Sequence, residues 1–209
     1  MSQERGSSIT TTPGRAPRRR RLLWGGVALA IVIALAVGVF VVVQTAQAQL
    51  VYAREAPRIR TVCQQAVIAE RQAQIPPASY HGGPMRDAIQ RQMLANAQQT
   101  LGKWYTNPQL TAEMAQAQQA ISSERSGAFH VLDAGAGTLT FSQINVSGAT
   151  ASVAAQGIIW LSFTETQSNG SVEKASPHNL MDFTFTLTLV HGQWMISGQI
   201  TKFASGSGP

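Results

Sequence analysis

The chain has 209 residues and a net charge of +6, a length that suits one membrane anchor plus one domain of ordinary size and excludes two large domains. Six arginines and a single glutamate precede Leu22, so +5 of that charge sits in a short tail and the rest of the chain is nearly neutral. A basic nucleic-acid-binding face is thereby excluded, since such a face needs its cations clustered on the folded domain. One cysteine, Cys63, rules out an intrachain disulfide and a multi-cysteine metal centre. It reads as a free thiol on a helix, with an intermolecular disulfide as the alternative.

Residues 1–21 are a basic tail ending in Arg18, Arg19, Arg20 and Arg21. Leu22 to Val43 (LLWGGVALAIVIALAVGVFVVV) then carries no charge. About twenty apolar residues cross the hydrocarbon core as a helix, so this run predicts a transmembrane helix. The flank beyond it is uncharged until Arg54. The four arginines therefore set the orientation, with the N-terminus cytoplasmic and the remainder extracytoplasmic, most simply at a bacterial plasma membrane. Two alternatives are a cleavable signal, with Ala46-Gln47-Ala48 as its site, and a twin-arginine export signal at Arg19-Arg20-Arg21-Leu22-Leu23. Gly26, Ala30, Ala34 and Gly38 recur every fourth residue, the small-residue stripe along which two transmembrane helices approach each other. The lipid bilayer is thus the first expected partner, and a protein partner or a second copy the next.

Residues 44–82 read as a stalk helix and linker. Gln44 to Gln74 is rich in Gln, Ala and Arg, good helix formers. Leu50, Ala53, Pro57, Val62, Ala66 and Ala69 give a weak apolar stripe, and Pro57 predicts a bend or restart. Ile75 to Pro84 (IPPASYHGGP) is a break. The domain proper is expected over 83–203. Met85, Ile89, Met93, Leu94, Ala97, Leu101 and Trp104 recur at helical spacing. Asn107-Pro108 predicts an N-cap followed by proline in the first turn, with Leu110, Met114, Ala117 and Ile121 as the buried stripe of the next helix.

From Phe129 the period becomes two. Strands are expected at Phe129 to Leu132, Thr138 to Val146, Ala149 to Thr164, Asn179 to Val190 and Gln193 to Phe203. Ser147-Gly148 reads as a hairpin turn, His191-Gly192 as a turn and Thr166 to His178 as a polar loop. Phe183, Phe185, Leu187 and Leu189 alternate with Asp182, Thr184, Thr186 and Thr188, which predicts one buried and one polar face. On the last strand Trp194, Ile196 and Ile200 are expected to share a face. Residues 204–209 read as a disordered tail. The fold class is α+β: helices on one side of an antiparallel sheet.

Helices followed by such a sheet, closing on Gly192, Trp194 and Ile196, resemble the nuclear transport factor 2-like, or cystatin-like, cone. The resemblance covers roughly Met85 to Phe203. With one anchor in front, the chain is similar to two membrane-bound branches of that superfamily. These are the inner-membrane assembly subunit of type IV secretion and conjugation systems, and the mammalian-cell-entry-associated membrane protein of actinobacteria. The resemblance implies an extracytoplasmic α+β domain and supplies no motif to carry over residue by residue.

Enzymes of the superfamily place an acid–base pair inside the cone. Here His130 and Asp182 are the candidates for such a pair, with Thr184 and Thr186 as neighbours in a polar cavity. No zinc-protease, phosphate-loop or nucleophile-elbow motif occurs. The expected function is accordingly a non-enzymatic, membrane-anchored scaffold or interaction subunit needing no cofactor and no metal. A small-ligand binder for lipid or peptide, or a hydrolase or isomerase of the same fold, is the alternative. A cone interior filled by Phe183, Phe185 and Trp194 would favour the scaffold; a deep pocket with convergent polar groups would favour the alternatives.

Overall fold

The structure, a computed structural model, describes the backbone of residues 18–207 and side chains from Val37 onward, those of 38, 46 and 48 excepted. The basic tail before Arg18 lies outside the described residues, and so do the side chains at 18–36, 38, 46 and 48, which hold Arg18 to Arg21, most of the apolar run, the stripe Gly26, Ala30, Ala34 and Gly38, and the alanines of the cleavage motif. Among the described residues no helix is long and apolar enough to cross a membrane. The chain divides into two compact units, Met1–Gln49 and Leu50–Pro209. In the first, the helical residues Val37, Val39, Phe40, Val41, Val42 and Val43 are all exposed.

The second unit holds the end of α1 (Arg18–Gln72), α2 (Asp87–Leu101), α3 (Gln109–Glu124) and six strands. These are β1 (Phe129–Ala136), β2 (Thr140–Ser147), β3 (Thr150–Thr166), β4 (Val172–Ala175), β5 (His178–Val190) and β6 (Gln193–Phe203). All six form one antiparallel sheet in the order β1-β3-β5-β6, with β2 and β4 also paired to β3. The organising element is β3, whose 17 residues outrun any single neighbour. Its first half pairs β2 on one edge and β5 on the other. Its second half pairs β1 and β4. The helices lie on one face of this sheet and the other face is open.

The core is built by the alternation of β5 and β6. Phe183, Phe185, Leu187, Trp194 and Ile196 are at most 2% exposed. They meet α1, whose Ile59, Cys63, Ala66 and Val67 are fully buried, together with Ala97 and Leu101 of α2 and Ala117 of α3. A second cluster joins Tyr80, Met85, Met93 and Ile121.

Several sequence expectations need correction. The segment expected to be a solvated stalk is a wall of the core from Ala56 onward. It is not restarted at Pro57, which lies inside α1. Of the expected stripe, Val62, Ala66 and Ala69 are buried while Leu50, Ala53 and Pro57 are exposed; Ala56, Ile59, Cys63 and Val67 complete the buried face. Cys63, with no exposed surface, cannot reach a second thiol while the domain is folded. Asn107 does not cap α3; Pro108 stands at that position without a side-chain cap bond. The Asn107 side chain instead accepts a bond from the Thr111 hydroxyl at 3.0 Å. The polar loop contains β4, and β1 runs four residues past Leu132. Ile200 does not share the face of Trp194 and Ile196. A β-bulge places Ser197 unpaired between the pairs Thr186–Gly198 and Leu187–Ile196, which reverses the alternation. Ile200 is 57% exposed, and Gln199 takes the inward position.

Candidate functional site

Sequence reasoning nominated His130, Asp182, Thr184 and Thr186. Asp182, Thr184 and Thr186 are exposed on the sheet face away from the helices, because their neighbours Phe183 and Phe185 take the inward positions. Asp182 accepts a bond from Gln156 at 2.8 Å. His130 pairs with Thr164 on β3, whereas Asp182 pairs with Gln156, eight residues away. That is roughly 25 Å along the strand. The structure does not bring the histidine and the aspartate together.

His130 has other company. It follows the β1 entry and is half-buried, with Tyr80 edge-on to its ring at 5.0 Å. Its Nδ1 lies 3.8 Å from Oε2 of Glu124, at the end of α3. Both of these atoms are buried without a hydrogen-bond partner. The other carboxylate oxygen of Glu124 accepts from the Val131 amide at 3.1 Å. Burial pushes the Glu124 carboxyl up to about 7, against the lowering effect of that amide. Burial also holds His130 below the usual imidazole range. Each effect is the cost of placing a charge where water cannot reach it.

The larger polar constellation was not foreseen. The bulge that turned Gln199 inward sets it beside Glu70 of α1 and Tyr105. Tyr105 donates its hydroxyl proton to Glu70, and Gln199 donates to the same carboxylate oxygen at 2.6 Å. Arg71 reaches the second Glu70 oxygen at 3.2 Å. Gln109 accepts from the Gln199 amide at 3.1 Å and donates to Glu113 at 2.6 Å. Glu113 is raised to about 7, first by burial and then by the charge of Glu70. Burial, and then the neighbouring Glu70, push the Tyr105 phenol far up, so it stays a donor. The sequence gives no local sign of this network: Glu70 and Gln199 are 129 residues apart in the chain, and the bulge in β6 is what turns Gln199 toward the others.

Chemically the network pairs its donors and acceptors with one another, apart from the buried Nε of Arg71, which has no partner. The cavity lined by Glu70, Arg71, Leu101 and Glu113 holds about 10 Å³, the room of about one water molecule. A raised carboxyl beside a tyrosine has the ingredients of an acid–base site, but a substrate has no space to sit between them. Larger spaces lie on the helical side: an open groove of about 460 Å³ along Gln98, Leu110, Thr111 and Met114, and a more enclosed pocket of about 120 Å³ near Ile75, Pro77 and Met93. Neither groups titratable side chains. Among the described residues no cluster of three or more His, Cys, Asp or Glu is spaced for a metal ion.

No protein-family model matches the chain, and no curated protein matches it. Solved structures do align with it. The periplasmic domain of DotI is 17% identical, covering 70% of this chain and 94% of that one with a TM-score of 0.42. An NTF2-like protein with a cystatin-like fold from Novosphingobium aromaticivorans is 11% identical, with coverages of 78% and 91% and a TM-score of 0.40. An IcmL-like type IV secretion system protein from Legionella pneumophila is 11% identical, with coverages of 71% and 93% and a TM-score of 0.40. The structural neighbours of the chain are nuclear transport factor 2-like, cystatin-like folds, type IV secretion proteins among them.

Proposed function

We propose that this chain is a membrane-anchored, non-enzymatic interaction subunit whose folded unit works by surface contact with a protein partner or a second copy. The observation that carries the reading is the filled interior. The inward positions of β5 and β6 are occupied by Phe183, Phe185, Leu187, Trp194 and Ile196. The polar groups around Glu70 bond chiefly to one another, and the cavity beside Glu70 and Glu113 holds about 10 Å³. A small-ligand site or an active site in the cone needs room that these side chains occupy.

The anchor is the second part of the reading. It is supported by the uncharged run Leu22 to Val43 behind four arginines. It is supported too by the exposure of six apolar side chains near the run's end, Val37 and Val39 to Val43. A helix apolar on all sides needs a protein core or lipid around it. The proposed topology has the N-terminus in the cytoplasm and the folded unit outside.

Two measurements test the proposal together. Protease added to the outer side of spheroplasts should digest the folded unit and spare the arginine tail; a protected C-terminal domain would contradict the anchor. His130→Ala with Asp182→Ala, singly or combined, should leave the biological role intact at normal protein abundance. Loss of that role at unchanged abundance and melting temperature would return these side chains to a ligand or catalytic site.

A further inference from the structure

At the far end of β3, Glu165 pairs directly with Glu173 of β4, and Thr164 with Lys174 beside it. The near end is where the chain enters the folded unit at Leu50. Three contacts gather it. Arg58 of α1 donates to the Gly192 carbonyl of the β5–β6 turn at 2.9 Å. Gln193 donates to the Lys103 carbonyl at 3.2 Å. Leu189 donates to the Ala149 carbonyl at 2.8 Å, holding the β2–β3 turn alongside.

This end presents the cations Arg54, Arg58 and Lys103, all exposed. The nearby acid is Glu55, whose side chain is 14% exposed. Its carboxylate is engaged by the Trp194 indole at 2.8 Å and by Arg58 at 3.1 Å. Beside the cations stand three uncovered side chains, Leu50 at 71%, Val51 at 47% and Tyr52 at 43% exposure. Cations beside exposed aliphatic groups and a tyrosine are what the headgroup layer of an anionic bilayer takes. The cations meet phosphates, and the tyrosine and aliphatic groups settle at the boundary with the hydrocarbon.

We propose that this end of the folded unit docks on the surface of an anionic phospholipid bilayer, through Arg54, Arg58 and Lys103 with Leu50, Val51 and Tyr52. The inference rests on the anchor reading above. Leu50 follows the last residue of the apolar run, Val43, by seven positions, so a membrane holding that run keeps this end within reach of lipid.

The test uses the full chain reconstituted into vesicles of phosphatidylcholine alone or with phosphatidylglycerol. A fluorophore is attached through Ala149→Cys at the near end or Ser168→Cys at the far end; buried Cys63 stays unlabelled. Quenching by headgroup nitroxide lipids is then read. The expected result is several-fold stronger quenching at residue 149 than at residue 168, rising with phosphatidylglycerol and falling in the Arg54→Glu/Lys103→Glu variant. Both of those side chains are exposed, and an unchanged melting temperature confirms that the variant folds. Equal quenching at the two ends, or quenching at 149 indifferent to anionic lipid and to charge reversal, overturns the docking surface. Carbonate extraction of the same vesicles separates the two failures. A chain that washes off neutral lipid overturns the anchor and the surface with it. A retained chain with equal quenching overturns the surface alone.

Discussion

At the scale of single residues, Trp194 shows how burial and polarity are combined. Its ring fills the core at 2% exposure while its indole N–H donates to Glu55 of α1 at 2.8 Å. That bond is also the chief reason the Glu55 carboxyl lies below its ordinary range. Truncating a buried tryptophan costs about 3–5 kcal/mol, out of the roughly 5–15 kcal/mol that holds such a domain. Trp194→Ala should lower the melting temperature sharply and reduce abundance. Thr186→Ala on the open face should stay within about 0.5 kcal/mol. Thermal melts of the two variants check this, and a reversed ranking would invert the assigned faces.

Glu124 gives a pH dependence whose sign is fixed. Its folded pKa, about 7, lies above that of an unfolded glutamate, so between the two values the folded state holds the extra proton. Its contribution to stability is therefore fully present below about pH 4.3 and is lost as pH rises through about 7. Glu113 acts in the same direction. His130, depressed by burial, acts oppositely, losing stability as pH falls below the unfolded imidazole value. Glu124→Gln should flatten the fall in melting temperature between pH 5 and pH 8 (on the order of the carboxyl range just given). A variant with the wild-type slope would remove Glu124 as its source.

At the scale of elements, β5 was the most legible part of the chain. Its alternation of phenylalanine and leucine with threonine states both faces, and burial follows it from Met181 to Leu187. The last strand was legible in extent but not in register, because the bulge at Ser197 depends on the partner strand and leaves no mark in QWMISGQITKF. β4 was hidden because Val172 to Ala175 has no apolar period; it is a strand only because the overhang of β3 offers it an edge. α1 is legible only in part. Val62, Ala66 and Ala69 are on the buried face as their spacing suggests, but Ala56, Ile59, Cys63 and Val67 complete it, and the exposed Leu50 draws the apparent stripe to the wrong side at its start. The carboxylate network was illegible, since no local pattern predicts that Glu70 will be buried against Tyr105 and Gln199.

The corrected role of α1 makes its own prediction. A chain beginning at Tyr80 lacks Ile59, Cys63, Ala66 and Val67, all fully buried. It also lacks Gln64, which donates to the Gly137 carbonyl and accepts from the Leu139 amide, tying the β1–β2 link to the helix. That fragment should show no cooperative melt. A chain beginning at Leu50 should fold and melt cooperatively. Circular dichroism of both decides, and a cooperative transition in the Tyr80 fragment would restore the stalk.

At the scale of the whole molecule, polarity and space are kept apart. The buried carboxylates Glu70 and Glu113 are answered from within by tyrosine, glutamine and arginine, and aromatic side chains of β5 and β6 fill the inward face of the sheet. Its accessible parts are one open sheet face, the grooves on the helices and the entry end, and the proposed function places its action there. The most direct measurement is site-specific photocrosslinking of the full chain in its native membrane, with the photoreactive residue at Thr184 on the open face or Thr111 on the helical side. The account predicts a discrete protein adduct, either a partner or a second copy, from at least one position. No protein adduct from either, together with a stoichiometric small molecule retained by the purified chain, would contradict it.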